Sequence, residues 1–356
     1  MSDTKPVAAR KFSDRSIVQL TLVRFREFIR QPEAVFWTFV FPILLAVGLG
    51  LAFRSKAPER PHVGVVANGP AAARVIAALK RDSIVVEQMD DSAAARALRT
   101  AKIALLVVPQ GDSAVQYVYD PQRGESASAR LIVDRAIQIG AGRADPVKIA
   151  ERRVTERGSR YIDFVIPGLL GMNLMGSGIW GIGFAIVDSR SKRLLKRFMA
   201  TPMSRAEYLM SFLFSRLFFL VIEVVTLLGF GALVFGVPLR GSLIELGAIC
   251  LVSALAFGGL GLLIASRAKT VEGVSGLMNL VMLPMWIFSG VFFSSSNFPS
   301  VVQPIIKALP LTAVNDALRA NMLEGTHLAA SGLEVTVIVG WLVISFLAAL
   351  KLFKWR

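Results

Sequence analysis

The stretch Ala34 to Phe53 reads AVFWTFVFPILLAVGLGLAF, with no charge along its 20 residues. At about 1.5 Å of rise per residue, a helix of that length crosses the roughly 30 Å of hydrocarbon in a bilayer. Five more apolar runs follow: Phe164 to Val187, Tyr208 to Val237, Leu243 to Ser266, Val274 to Phe293 and Leu333 to Phe353. Only the run from Tyr208 holds strong charges near its middle, Arg216 and Glu223. The sequence predicts an α-helical polytopic membrane protein with six transmembrane helices.

Composition agrees. The chain is 54% hydrophobic with a mean hydropathy of +0.58, more than a soluble domain of 356 residues shows. Cys250, the one cysteine, sits in the fourth run, so a disulfide framework or cysteine metal site is excluded. His62 and His327 are the only imidazoles, which argues against a histidine metal centre. The net charge of +15 comes from residues flanking the runs, as membrane topology requires, so the partner it implies is the lipid bilayer and not nucleic acid.

Short flanks set the orientation. Lys5, Arg10, Lys11, Arg15, Arg24, Arg26 and Arg30 precede the first run; Arg190, Lys192, Arg193, Lys196, Arg197 and Arg205 join the second to the third. Both flanks belong in the cytoplasm. Counting six crossings returns Arg267, Lys269, Lys351, Lys354 and Arg356 to that side, so residues 1–33 and the C-terminus are expected to be cytoplasmic, in a bacterial inner membrane. Residues 54–162 then lie outside. A cleaved signal peptide fits poorly, because the run starts late, is too long and lacks a small-residue cleavage pattern.

That outer segment reads as an α/β domain. Runs at His62 to Ala67, Ser83 to Met89, Ile103 to Pro109 and Val115 to Tyr119 have strand character. Helical patterns cover Pro70 to Arg81, Ser92 to Lys102 and Glu125 to Gly140, with Asp91 as the expected N-cap of the second. Arg143 to Arg160 is expected to return as a helical stalk. No GxSxG, HExxH or telling carboxylate pair occurs there, so no extracytoplasmic enzyme is expected.

Two cytoplasmic elements stand out. Ser16 to Gln31 (SIVQLTLVRFREFIRQ) sets Ile17, Leu20, Leu22, Val23, Phe25, Phe28 and Ile29 on one broad side with Arg24, Arg26, Glu27 and Arg30 around it, an interfacial amphipathic helix ended by Pro32. It anchors the chain in the headgroup region and is compatible with contact to a cytoplasmic partner. The loop 188–207 repeats Leu194, Leu195, Phe198 and Met199 at helical spacing against Lys192, Arg193, Lys196 and Arg197, until Thr201 and Pro202 stop the pattern. Such a helix suits force transmission from a soluble motor; on physics alone it serves equally as a positive-inside anchor.

The order amphipathic helix, span, outer domain, five spans resembles the permease subunit of type-2 ABC exporters, the class that includes drug and antibiotic efflux systems. YIDFVIPGLLGMN (Tyr161 to Asn173), LLKRFMATPMSRAEYL (Leu194 to Leu209), SRAKTVEGVSGLMNLVMLPMWIFSGVFF (Ser266 to Phe293) and LPLTAVNDALRANMLEG (Leu309 to Gly325) are similar to that family's recurring stretches and lie in register. Many relatives have a Gly-Thr-Leu-Glu-like stretch where this chain reads Arg193-Leu194-Leu195-Lys196, so no acidic contact transfers to Lys196. The resemblance implies two permease subunits, identical or paralogous, around a translocation path. It also implies two ABC ATP-binding subunits that hold ATP and Mg, docked on Arg24, Arg26, Glu27, Arg30, Leu194, Leu195, Lys196, Arg197, Phe198, Thr201 and Pro202. This chain has no GxxxxGK[ST] phosphate loop and is expected to bind no cofactor and to be no enzyme itself. Residues 294–328, with Pro299, Pro304 and Pro310, fit the family's outer re-entrant helix pair within the five-helix part 163–356.

The polar residues inside the spans admit more than one use. Arg216 and Glu223, seven positions apart, share a face but are separated by about 10 Å along the axis, which predicts no direct bridge and leaves Arg216 to snorkel. A proton-coupled secondary transporter would use Glu223; a helix or subunit contact is the plainer role. Asn173 and Asn279 are expected to make interhelical hydrogen bonds, and Gly171, Gly176, Gly178, Gly258, Gly259 and Gly261 to allow close helix packing. Phe184, Phe218, Phe219, Met282, Met285, Trp286 and Phe288 would line a path for amphipathic or lipid-like cargo. A membrane-anchored receptor or assembly factor is the remaining alternative, though one span would suffice for it.

Overall fold

A computed structural model describes residues 16–53, 60–66, 69–111, 114–144, 158–192, 205–268 and 270–352. The chain divides into two compact units, Lys56–Val154 and Met1–Ser55 with Thr155–Arg356.

In the larger unit six helices are long and apolar enough to cross a membrane. Helix α1 (Ser16–Ile29) precedes the first of them. Pro32 closes α1 because its ring cannot continue the turn, and it opens α2 (Pro32–Ala52) at a first-turn position where no N–H is needed. The smaller unit follows, then α6 (Tyr161–Ser191), α7 (Arg205–Phe235), α8 (Leu243–Arg267), α9 (Val271–Phe288) and α12 (Gly332–Leu352). Two short helices, α10 (Gln303–Ala308) and α11 (Pro310–Arg319), stand between α9 and α12. The most apolar stretch of α6 is 56% buried and that of α8 61%, against 11–28% for the other four spans, so α6 and α8 form the centre. They approach closely because side chains are absent where they meet: a Cβ at Gly261 would fall 2.7 Å from the Ile179 carbonyl oxygen, and one at Gly178 2.7 Å from Phe257 Cβ.

The run expected to span Val274 to Phe293 ends earlier as a helix, at Phe288. Gly290 takes φ +71° and turns the chain away, which a residue with a Cβ resists.

The smaller unit contains a four-stranded sheet in the order β2-β1-β3-β4, with β1 (His62–Val66) parallel to β2 (Val85–Met89) and β3 (Leu105–Gln110), and β4 (Ala114–Val118) antiparallel to β3. Period-two alternation divides the buried residues between the faces. Val63, Val65, Leu105 and Val107 pack under α3 (Gly69–Arg81) and α5 (Gly124–Gly140). Val66, Ile103 and Leu106 pack under α4 (Asp91–Arg99). The cap of α4 is Asp90 and not Asp91: the Asp90 backbone is extended and its carboxylate accepts the Ala93 N–H at 2.6 Å, one residue earlier than expected. Most of the expected stalk, residues 145–157, lies outside the described residues.

Candidate functional site

A chain of polar contacts crosses the interior of the bundle through α2, α6 and α7. Its strongest link is the ion pair between Arg216 Nη1 and Glu223 Oε1, 2.9 Å apart on α7. This corrects the expectation that the two stand too far apart. Counting rise per residue locates backbones, whereas side chains reach: Glu223 leans toward the helix N-terminus, as helical side chains do, and Arg216 extends along the axis to meet it. Arg216 does not snorkel either; its side chain is 11% exposed and that of Glu223 1%. Burial of both members demands such pairing, since each charge alone costs a few kcal/mol in lipid (about 2.5–3.5 by insertion scales).

Ser177 of α6 completes the pair. Arg216 Nη2 donates to Ser177 Oγ at 2.6 Å, and that oxygen lies 3.0 Å from Glu223 Oε2 and 2.7 Å from the Asn173 carbonyl. A hydroxyl carries one proton, so Ser177 donates to one of these two at a time. Asn173, one turn earlier, sends its amide Nδ2 to the Thr38 carbonyl at 3.0 Å. That carbonyl needs a donor for a covalent reason: Pro42 stands four residues on and has no N–H to give. The same proline adjoins a π-helical turn, Phe36–Val40, in which the Phe41 N–H reaches back to the Phe36 carbonyl. Asn173 thus makes the expected interhelical hydrogen bond. Asn279 does not: its side chain is exposed on α9 and has no hydrogen bond among the described residues.

Elsewhere the expected residues separate. Arg26, Glu27 and Arg30 are exposed on α1; Arg24 belongs to the same helix, its side chain outside the description. Leu194, Leu195, Lys196, Arg197, Phe198, Thr201 and Pro202 lie outside the described residues. At the loop's edge Lys192 pairs with Asp188 at 2.9 Å, which raises its pKa, while Arg190 donates to the Ala265 and Ala268 carbonyls at the end of α8. Of the expected path-lining residues, Met282 and Met285 are buried in the core, and Phe219 packs against Phe28 of α1 with ring centroids 4.2 Å apart. Phe184, Phe218 and Phe288 are exposed.

Three polar anchors escaped the sequence reading. Asp163, fully buried, accepts from the Gly158 N–H at 2.9 Å, from Arg160 Nε at 2.9 Å and from Arg160 Nη2 at 2.7 Å; its bonds to the Arg160 guanidinium raise the pKa of that group. The signal was an i,i+3 pair at the start of an apolar run. Arg319 of α11 sets its guanidinium 3.7 Å from the centroid of the Phe164 ring and donates to the Phe164 and Gly290 carbonyls, and burial lowers its pKa to about 10. Asn315 donates to the Ser289 carbonyl at 2.8 Å and faces Gly171, where a Cβ would collide with its oxygen. Both are polar residues on an otherwise apolar helix face. Among the described residues no group of three His, Cys, Asp or Glu could hold a metal ion.

Comparison with known proteins agrees with this architecture. The chain is 23% identical over 163 residues to the "Probable multidrug ABC transporter permease YbhS" of Escherichia coli (strain K12), covering 46% of this chain and 43% of that one. It is 30% identical over 105 residues to "Nodulation protein J" of Rhizobium leguminosarum bv. viciae, covering 30% and 40% respectively. The aligned stretches thus span less than half the length of these relatives. The model of the ABC-2 family transporter protein matches residues 33–353, running through all six membrane helices. The chain therefore belongs to the ABC-2 transporter family and is a multi-pass membrane permease of that family.

Proposed function

We propose that this chain is the transmembrane subunit of an ATP-driven ABC exporter in a bacterial cytoplasmic membrane, moving an amphipathic small molecule or lipid-like cargo out of the cytoplasm or inner leaflet. ATP and Mg are held by a separate ATP-binding subunit, present twice, and a second permease, identical or paralogous, completes the path. Both termini are cytoplasmic and the α/β unit is outside. The observation that carries this reading is the family match through all six spans.

Two features support particular parts of it. Asn279 presents an amide on an exposed face of a membrane helix, where lipid offers no hydrogen bond, so a second permease or the path itself is the fitting neighbour. Coupling runs through α1, whose Phe25 and Phe28 rest on Phe219 of α7, and through the loop 193–204. A proton-coupled carrier needs a carboxylate that takes up and releases protons; Glu223 is instead closed between Arg216 and Ser177.

The test is efflux from vesicles containing this chain and its candidate ATPase, energised by ATP or by a proton gradient. Efflux that requires ATP and survives Glu223→Gln is the expected result. Efflux driven by the gradient alone and abolished by Glu223→Gln would sink the reading.

A further inference from the structure

A cavity of about 450 Å³, within the size range of small-ligand pockets, opens where α1, the start of α2 and the middle of α7 meet. Every lining residue is apolar, among them Phe25, Phe28, Ile29, Phe36, Phe39 and Phe219. The walls are fixed by ring contacts: Phe25 stacks on Phe219 at 5.6 Å, and Phe28 meets Phe39 edge-on at 6.2 Å. None of these side chains carries a donor or acceptor, so water gains little there and the part of a ligand that enters is hydrocarbon.

Depth and charge narrow the ligand. The α2 residues of the wall fall between Pro32 and Val40, within about 12 Å of the start of a membrane-crossing helix. Trp37, 59% exposed beside the groove, is the residue type that settles at the headgroup boundary. On α1 Arg26 follows Phe25, and Arg30 follows Ile29, by about 100° of helical turn, so both guanidinium groups stand along one edge of the side that faces the groove. Both are exposed. Glu27 lies farther round the helix and interacts electrostatically with Lys192 just past α6, and Glu33 occupies the first turn of α2, where a carboxylate complements the helix dipole.

We infer that this groove is a binding site for one anionic phospholipid of the bounding leaflet, with an acyl chain between α1, α2 and α7 and the phosphate against Arg26 and Arg30. An arginine fork fits a phosphate, and the two cations one helical turn apart select for negative headgroups. The lipid fills the gap beneath α1 and fixes that helix against α7. The site is independent of what the chain transports.

The test is native mass spectrometry of the purified full chain in detergent, titrated with dioleoyl-phosphatidylglycerol or the zwitterionic dioleoyl-phosphatidylcholine. A basic residue at an anionic surface contributes about fivefold in affinity, so one phosphatidylglycerol per chain is expected with about 25-fold preference. Arg26→Gln with Arg30→Gln, exposed changes that leave the packing alone, is expected to abolish the preference. Val35→Trp, which fills the groove, is expected to expel both lipids. Equal retention of the two lipids by the unmodified chain, or an undiminished preference in the double variant, would overturn the inference. So would a Val35→Trp chain that keeps its lipid but loses association with a second copy, which would assign the groove to that copy.

Discussion

Replacing Glu223 with alanine leaves the Arg216 guanidinium inside the bundle with Ser177 Oγ as its remaining close partner. The carboxylate is 1% exposed and the arginine side chain 11%, so water cannot take its place. Breaking a buried pair from one side costs about 3–5 kcal/mol, because the surviving charge keeps its desolvation penalty and loses its compensation. Glu223→Gln retains the shape and an acceptor oxygen and gives up the charge; exchanging a charge-assisted hydrogen bond for a neutral one costs about 1–2 kcal/mol. Removing both partners, as Arg216→Met with Glu223→Leu, is expected to be within about 1–2 kcal/mol of the unmodified chain or more stable than it. The assay is reversible unfolding in mixed micelles of dodecyl maltoside and sodium dodecyl sulfate, followed by circular dichroism on Glu223→Ala and on the cycle of the unmodified chain, Arg216→Met, Glu223→Leu and their double variant. A coupling energy of about 3 kcal/mol is expected. The reasoning fails if Glu223→Ala loses under 1 kcal/mol, or if the two single losses add up to that of the double variant.

Gly261→Ala places its Cβ 2.7 Å from the Ile179 carbonyl oxygen and 3.0 Å from Ile179 Cα, backbone atoms that cannot rotate aside. The two central helices must part, at about 1–3 kcal/mol in the same unfolding assay, whereas Gly276→Ala, with nothing within 4 Å, is expected to be neutral or slightly stabilising. In the α/β unit the Tyr117 hydroxyl donates to Asp134 Oδ1 at 3.0 Å, and burial, helped by that carboxylate, pushes the phenol well above its ordinary range. A folded-state pKa raised above the unfolded value of about 10 means that the contribution is full below pH 10 and lost as pH rises beyond it, so Tyr117→Phe should flatten the alkaline fall in stability; a fall equally steep with and without Tyr117 would refute this.

What the sequence revealed depended on how local the determining physics was. The six spans were legible because long apolar runs have few other fates, and the strands of the α/β unit because β1 alternates around a register that buries Val63 and Val65 on one face and Val66 on the other. The Asp90 cap was missed by one residue because two aspartates adjoin and only the backbone torsions choose between them. The Arg216–Glu223 pair was misjudged because axial rise describes Cα atoms, while an arginine side chain reaches along the axis. The bond from Asn173 to Thr38 bridges 135 positions and depends on a donor missing at Pro42; sequence shows each part but not their meeting. Arg319 shows an i,i+3 carboxylate in Asp316, but its hydrogen bonds go to the backbone carbonyls of Phe164 and Gly290, which no side-chain pattern advertises.

The contacts around the candidate site form a closed circuit. Helix α1 leans on α7 through Phe25, Phe28 and Phe219; α7 is tied to α6 through Arg216, Glu223 and Ser177; α6 holds α2 through Asn173 and Thr38; α2 returns to α1 through Phe39 and Phe28. Four contacts on four elements leave little slack, because three of the helices are joined in the interior by hydrogen bonds that lipid cannot replace. A force applied at α1 is therefore delivered to α6, one of the two central helices, and not absorbed at the surface. Helix α9 lies outside the circuit, its apolar stretch 22% buried and its Asn279 turned outward. In a working transporter, movement is expected at the faces of α9, and the α1–α2–α6–α7 group is expected to shift as one body against them.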